Sequence, residues 1–495
     1  MCKPGYQDPL CGDCQLPEYG MLSPLRCGKC MRPPVQLGVY MFVPSVTVSF
    51  VTYTVHATWQ ESLRGDSTVL IPDIIKVLVL FLQYLVIISS VSVPWPLSDV
   101  QQWLQAIGIV VTMGSGQALS LDCWLSYYVG STVLPIAIQR HLVLFLAPVC
   151  TLIAAMLLDC LAWAVRRWVL PLFRQPRESA GDIPPRRGQS ACLLLRKLPV
   201  TVMVLLYYAF PTLLRKALSF FACLKIDEPL TALTGVPVGA TATLTHRWGY
   251  WVSAIEQECF SGYHLGWAPG LGLPSVVLWC IVVPVALGVG LYMCRSRADS
   301  DSFREHFGFL YRTYRHECMW WEAVWAARTV LLTLISVFPP PPPMQRYYSV
   351  LSLLLVFWAS AALQIIFKPY AVSMLHRMHL VSTSCLAATT LGALAMFAYD
   401  IQESTAYALR IAITVLVFVL NLVFVGWCCL KLAPTLKAKV AAMFGTTTTV
   451  WGMCGVQRIL GPPVRAEPPE HVVCSAGQHS EADKDPSSLG PAERV

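Results

Sequence analysis

The chain has 495 residues, of which 55% are hydrophobic and only 13% charged; a soluble domain carries about 25% charged residues. Its 16 Trp, 19 Tyr and 19 Phe add to the apolar weight. This composition excludes an ordinary globular enzyme and indicates a multi-span membrane protein, in which the net charge of +8 is read loop by loop and not as an affinity for nucleic acid.

The first thirty residues, MCKPGYQDPLCGDCQLPEYGMLSPLRCGKC, hold five cysteines, with C-x2-C pairs at Cys11/Cys14 and Cys27/Cys30. Two chemistries suit such pairs: four thiolates around one tetrahedral zinc, or disulfides in an oxidising compartment. No basic and apolar leader precedes them. Five is an odd number for a self-contained module, so the expectation is a start further upstream; the other reading makes the first span the insertion signal. Residues 1–34 are expected to form a small cysteine-rich module.

A helix needs about 20 mostly apolar residues to cross the hydrocarbon core. Nine stretches are expected to do so: 35–57, 74–93, 142–165, 198–221, 274–294, 320–338, 347–367, 378–399 and 411–430. The stretch 103–113 is apolar but short, and is expected to lie at the interface or re-enter. The prolines 339–343 predict a stiff connection. The all-α membrane domain thus covers 35–432. The tail, 433–495, is polar with Pro and Ser and is expected to be largely disordered.

Charge placement orients the chain. The connection after the third span holds Arg166, Arg167, Arg174, Arg177, Arg186, Arg187, Arg196 and Lys197. That after the fifth holds Arg295, Arg297, Arg304, Arg312 and Arg315, and the tail opens with Lys431, Lys437 and Lys439. Alternate connections are poor in Lys and Arg. Positive loops stay in the cytoplasm, which puts the amino terminus outside, the carboxyl tail inside, and the protein in the plasma membrane. The first cytoplasmic connection is the weak point, with only Arg64 and Lys76. The exoplasmic cysteines are then Cys2, Cys11, Cys14, Cys27, Cys30, Cys123, Cys223 and Cys259, an even set suited to disulfides.

No P-loop, GxSxG, HExxH or dinucleotide fingerprint is present, so neither an enzyme nor a cofactor is expected. His376 and His379, three apart, could share a metal on one helical face or sit at an interface. Polar groups at membrane depth carry more information, because lipid burial is costly. Asp159 lies about two turns before Arg166 and suits an interfacial ion pair. Gln83 and Asn421 lie mid-span and suit interhelical hydrogen bonds. Arg215 and Lys216, near the outer end of the fourth span, are expected to snorkel outward.

The segment FGFLYRTYRHECMWWEAVWAARTVLLTLISVF, residues 307–338, runs from a basic connection into the sixth span. Trp321, Trp325 and Arg328 follow i, i+4, i+7 spacing and share a helical face. An indole under the guanidinium would lower the cost of placing Arg328 in the bilayer. Glu322 points elsewhere. The segment reads either as an aromatic belt with a snorkelling Arg or as a coupling element between connection and span.

Two resemblances extend this reading. CKPGY followed by PLCGDC (2–14) resembles the end of an EGF-like or laminin-like repeat. That resemblance implies bonds Cys2–Cys11 and Cys14–Cys27, which leaves Cys30 for Cys123 and Cys223 for Cys259. Residues 94–124 (PWPLSDVQQWLQAIGIVVTMGSGQALSLDCW), 207–227 (YYAFPTLLRKALSFFACLKID) and 307–338, with the cysteine-rich start, resemble multi-span proteins of algae and other protists. In these, EGF-like or ephrin-receptor-like repeats precede a membrane domain similar to the TRP-like proteins of fungi, a group with polycystin-related channels and flavin carriers.

The second resemblance implies a cation channel or membrane sensor. It carries over Leu310, Tyr311, Tyr314, Trp321, Glu322 and Arg328 as gating or coupling residues. Trp325 stands where the family often has an acid, and Thr329 where it often has a base. The late exoplasmic connections are short for a re-entrant filter. Asp400 and Glu403 would form a cation-attracting mouth in a homo-oligomer, or be solvated loop residues. A lipid or flavin-like carrier and a receptor or adhesion protein with an extracellular ligand stay open beside the channel. The expected partner common to all three is the lipid bilayer.

Overall fold

The computed structural model of the chain describes residues 3–7, 13–23, 26–64, 71–91, 93, 95–96, 121–130, 134–165, 187–224, 249–298, 300–338, 345–398 and 404–451. Cys2, Cys11, Arg166, Asp400, Glu403, the apolar stretch 103–113 and the prolines 339–343 lie outside these residues. The chain divides into Met1–Lys437, the subject of the description below, and Ala438–Val495.

The amino-terminal residues form two small antiparallel sheets: β1 (Tyr6–Gln7) with β2 (Asp13–Cys14), and β3 (Tyr19–Ser23) with β4 (Arg26–Lys29). So short a sheet buries little apolar surface and depends on cross-links. Cys14 is bonded to Cys27, with Cα atoms 5.5 Å apart. Gly5 sits at φ +91°, where a Cβ would strike the Tyr19 ring at 2.5 Å, so only glycine fits that turn.

Helix α1 (Pro33–Arg64) opens on two prolines, which suit a first turn. It is longer than the expected 35–57. Its Ser and Thr dilute the hydropathy, yet they satisfy themselves: Ser45, Thr47, Ser49 and Thr54 donate to the carbonyls of Met41, Val43, Ser45 and Phe50, four residues back. Then follow α2 (Ile71–Ser89), the short α3 (Leu121–Tyr128), α4 (Ile136–Ala164) and α5 (Arg187–Ser219). A three-stranded sheet comes next: β5 (Cys223–Leu224), β6 (Tyr250–Trp251) and β7 (Ala254–Glu258), in the order β5-β6-β7.

The fifth span, α6 (Gly262–Arg297), is not one regular helix. Residues Ala268–Gly272 and Val277–Val282 are π-helical, and Cys294–Arg297 is a 3-10 turn. Pro269, Pro274 and Pro284 each lack an amide donor, and the wider π turns let the backbone pass these gaps while staying helical. The short α7 (Asp301–Tyr311) begins at Ser300, whose hydroxyl accepts the Phe303 amide at 3.4 Å. The remaining helices are α8 (Trp321–Val337), α9 (Gln345–Phe367), α10 (Ser373–Ala398) and α11 (Ser404–Trp451). The last runs past residue 432, where the membrane domain was expected to end. Ala and Lys, both good helix formers, carry it onward despite Pro434.

Eight helices among the described residues are long and apolar enough to cross a membrane: α1, α2, α4, α5, α6, α9, α10 and α11. The ninth expected span, 320–338, is α8, which has 17 residues and is not among the eight. It is shortened by the turn at His316–Cys318 before it and by Phe338, where the helix stops. Trp320 and Trp321 meet Phe367, the last residue of α9, so α8 and α9 run antiparallel.

One end of the bundle therefore holds the sheets, the start of α1, α3 and the junction of α5 with α6. The other holds α7, the start of α8 and the turn between α9 and α10. A single large apolar core runs through the bundle, and a small separate one lies under the β5–β7 sheet.

Close packing between α5 and α6 rests on Gly272, where a Cβ would lie 2.9 Å from the Phe220 Cβ. Gly272→Val is expected to destabilise the protein by about 1–3 kcal/mol through overpacking. Gly266 has open space around it, so Gly266→Ala should leave the melting temperature in detergent unchanged or slightly raised. Equal melting of the two variants would contradict this packing.

Candidate functional site: a buried ion pair in the bundle

Helix α2 reads IPDIIKVLVLFLQYLVIIS, apolar but for Asp73, Lys76 and Gln83. Lys76 was expected in a cytoplasmic connection. It lies instead within the helix, and its Nζ is 3.2 Å from Glu322 Oε1 on α8, with the two side chains only 3% and 0% exposed. The Tyr314 hydroxyl donates to Glu322 Oε2 at 2.7 Å. Lys76 Nζ also reaches the Phe309 carbonyl at 3.4 Å and stands over the Tyr207 ring at 4.4 Å. One carboxylate, one carbonyl and an aromatic face together offset its desolvation. Arg312 and Lys76 act electrostatically on the buried Asp73.

The turn between α7 and α8 holds Tyr314 in place. Arg315 N donates to Pro369 O at 2.7 Å and Ala371 N to Thr313 O at 3.0 Å, stitching this turn to the one before α10. Tyr314 also stacks obliquely on Tyr370. Burial first, then the Glu322 charge, push the Tyr314 phenol well above its ordinary range, so it remains a donor.

Arg328 corrects one expectation. Its guanidinium sits over the Tyr84 ring of α2 at 4.7 Å, and not over an indole of its own helix. The indole of Trp325 is already taken, stacked on Tyr207 at 4.4 Å and near Phe210 at 5.7 Å. Tyr84 in turn shares a 2.9 Å hydrogen bond with Thr329. Among the expected coupling residues, Glu322 and Tyr314 join directly. Leu310 is buried in the core, Tyr311 donates to the Ala298 carbonyl at 2.7 Å, and Trp321 packs on Trp320 and Phe367.

Other expected residues lie elsewhere. Gln83 donates to the Tyr208 carbonyl at 2.9 Å, linking α2 to α5. Asn421 donates to Thr389 at 2.9 Å, linking α11 to α10. Asp159 is half-buried on α4. His379 stacks on Tyr370 at 4.3 Å. Among the described residues, no group of three His, Cys, Asp or Glu could hold a metal.

The opposite end carries a second polar knot. Cys30 is bonded to Cys123 on α3 and Cys223 to Cys259, the pairs left among the exoplasmic cysteines once the resemblance had taken up the others. With Cys14–Cys27, these bonds take up cysteines that the zinc reading needed as thiolates. Arg140 on α4 donates through Nη1 to both carboxylate oxygens of Asp122, at 2.9 and 2.7 Å, and through Nη2 to the Ser253 carbonyl at 2.5 Å. It thereby ties α3, α4 and the β6–β7 turn. Arg215 and Lys216, expected to snorkel, are half-buried beside it.

Lys76, Tyr84 and Arg140 were missed by the sequence reading. Lys76 had a usable signal, a charge three residues from Asp73 within an apolar helix. Tyr84 and Arg140 act across helices and leave no local trace.

No protein-family model matches the chain, nor does any curated protein or solved structure. By its own fold it is a polytopic helical membrane protein with a disulfide-bonded amino-terminal region.

Proposed function

We propose that the protein is a cation channel or membrane sensor of the TRP-like kind, and not an enzyme. The buried Lys76–Glu322 pair, with its link to Tyr314, carries this reading. Ionised groups at membrane depth are costly and are retained where they serve an ion path or a moving element. The pair joins α2 and α8 to the turn that follows α7, where a stimulus at the basic end would be felt. Among the described residues, Gln83 Oε1, Trp325 Nε1 and Arg328 Nε are buried without a hydrogen-bond partner, which suits a polar interior.

Disulfides at one end favour the exoplasmic side. Arg295, Arg297, Arg304, Arg312 and Arg315 at the other favour the cytoplasm. In this reading the amino terminus is outside in the plasma membrane, and several copies assemble around the path. Asp400 and Glu403 are its cation-attracting mouth.

One observation favours a second reading, a receptor that moves no solute. Cys30–Cys123 fastens the cysteine module to α3, which Arg140 ties to α4 and the β6–β7 turn, so that a load or ligand on the module is transmitted. Cation flux into liposomes holding the purified protein separates the two. The channel reading expects flux above protein-free liposomes that does not saturate as a carrier's uptake does. Silence with all disulfides intact would sink the channel and leave the receptor.

A further inference from the structure

At the disulfide-bound end, two fully buried imidazoles, His141 of α4 and His264 of α6, flank Trp251. Their ring centroids lie 5.4 and 4.7 Å from the indole. Their hydrogen bonds set their protonation. The Phe260 amide donates to His264 Nδ1 at 2.9 Å, so that nitrogen carries no proton. His264 Nε2 faces the Phe220 carbonyl at 2.9 Å, which can only accept, so the ring's one proton sits there. His264 is thus held neutral, in a single tautomer, by partners on both sides.

His141 is built differently. Its Nδ1 faces the Ala137 carbonyl at 2.8 Å and is the protonated nitrogen, while Nε2 faces the Ser219 hydroxyl at 3.0 Å. That hydroxyl can donate to Nε2. It can also accept from a protonated Nε2 and turn its own hydrogen to the Lys216 carbonyl, 2.8 Å away. His141 therefore keeps its partners in either charge state. His264 does not, since a proton on Nδ1 would meet the Phe260 N–H head on.

We propose that His264 is a proton-binding site, with acid at the disulfide-bound end as its ligand, and that a proton on Nδ1 unlocks the β5–β7 sheet from the end of α5. The bond that breaks is local and strategic. Phe260 sits at φ +57°, a left-handed conformation costly for a bulky residue, and adjoins the bonded Cys259. His264 fastens that turn to Phe220, whose neighbour Ser219 accepts the Trp251 indole N–H at 2.9 Å.

Several charges surround the pocket. Lys216, Arg140 and His264 itself act electrostatically on the neighbouring His141, and Arg140, Arg215 and Asp122 act on Lys216. Glu256 on β7 and Asp13 on β2 act on the neighbouring Tyr263. Only the unlocked ring, which has already released the Phe260 amide, can take the second proton on Nδ1. Acid therefore favours the unlocked state, and neutral pH the locked one.

The inference does not depend on ion conduction. Hydrogen exchange of the full-length protein in nanodiscs, at about pH 7.5 and about pH 5 and corrected for intrinsic rates, tests it. The expected result is at least about a tenfold loss of protection across residues 249–264 in acid, with α8 unchanged and Cys223–Cys259 intact. His264→Gln, whose carboxamide can serve both partners but takes no proton, should abolish that loss; His141→Asn should retain it. Equal protection of the wild type at both pH values would overturn the proposal, whether or not the variants fold. An acid response that survives His264→Gln, or one lost in His141→Asn, would overturn it too.

Discussion

Glu322→Ala is expected to destabilise the protein by about 3–5 kcal/mol, because it leaves a buried ammonium without its counter-charge. Among the described residues, Lys76 would keep the Phe309 carbonyl, the surrounding rings and the more distant pull of Asp73. Tyr314 would lose its acceptor in the same step, an added cost of about 1–3 kcal/mol if its hydroxyl finds no other partner. Glu322→Gln preserves an acceptor for Tyr314 and should cost less. The double replacement Lys76→Met/Glu322→Leu removes both charges at similar volume, and should recover most of the loss or exceed the wild type. Thermal unfolding in one detergent orders the three variants. The double variant melting no higher than Glu322→Ala would mean that the pair is not a coupled unit.

Arg140→Met is expected to have the second large effect, again about 3–5 kcal/mol. Asp122, 7% exposed, would lose its two charge-assisted bonds, and the Ser253 carbonyl its short one. The damage should be confined to the disulfide-bound end, because the Arg140 partners are α3 and the β6–β7 turn. Hydrogen exchange should therefore rise in 121–130 and 249–258 while the α8 and α9 amides stay protected. Uniform loss of protection would show that this end does not unfold as its own unit.

The two ends differ in how much of them could be read from the residues. Spans such as 74–93 and 347–367 are legible because bilayer thickness and helix rise convert length directly into a crossing. Cys30 and Cys123 could be brought together once the topology placed both outside. The aromatic and polar character of 307–338 singled out the segment that holds Tyr314, Glu322 and Arg328.

Its wiring was not legible. Lys76 and Glu322 are 246 positions apart, and their pairing is decided by how α2, α5 and α8 pack. The partner of Arg328 turned on which ring was free: Tyr207 covers Trp325, leaving Tyr84 for the guanidinium. The π turns of α6 escaped because three prolines in an apolar run read equally well as a kinked α-helix.

The measurement that tests the account most directly is single-channel recording from purified protein in planar bilayers, under voltage and membrane tension. Wild type, Glu322→Gln and Lys76→Met/Glu322→Leu are compared, each verified for intact disulfides and for being fully folded at the recording temperature. Unitary cation currents are expected in the wild type, with an altered open probability in both variants. Currents indifferent to the loss of the pair, or a silent wild type that is folded and disulfide-bonded, would contradict this expectation.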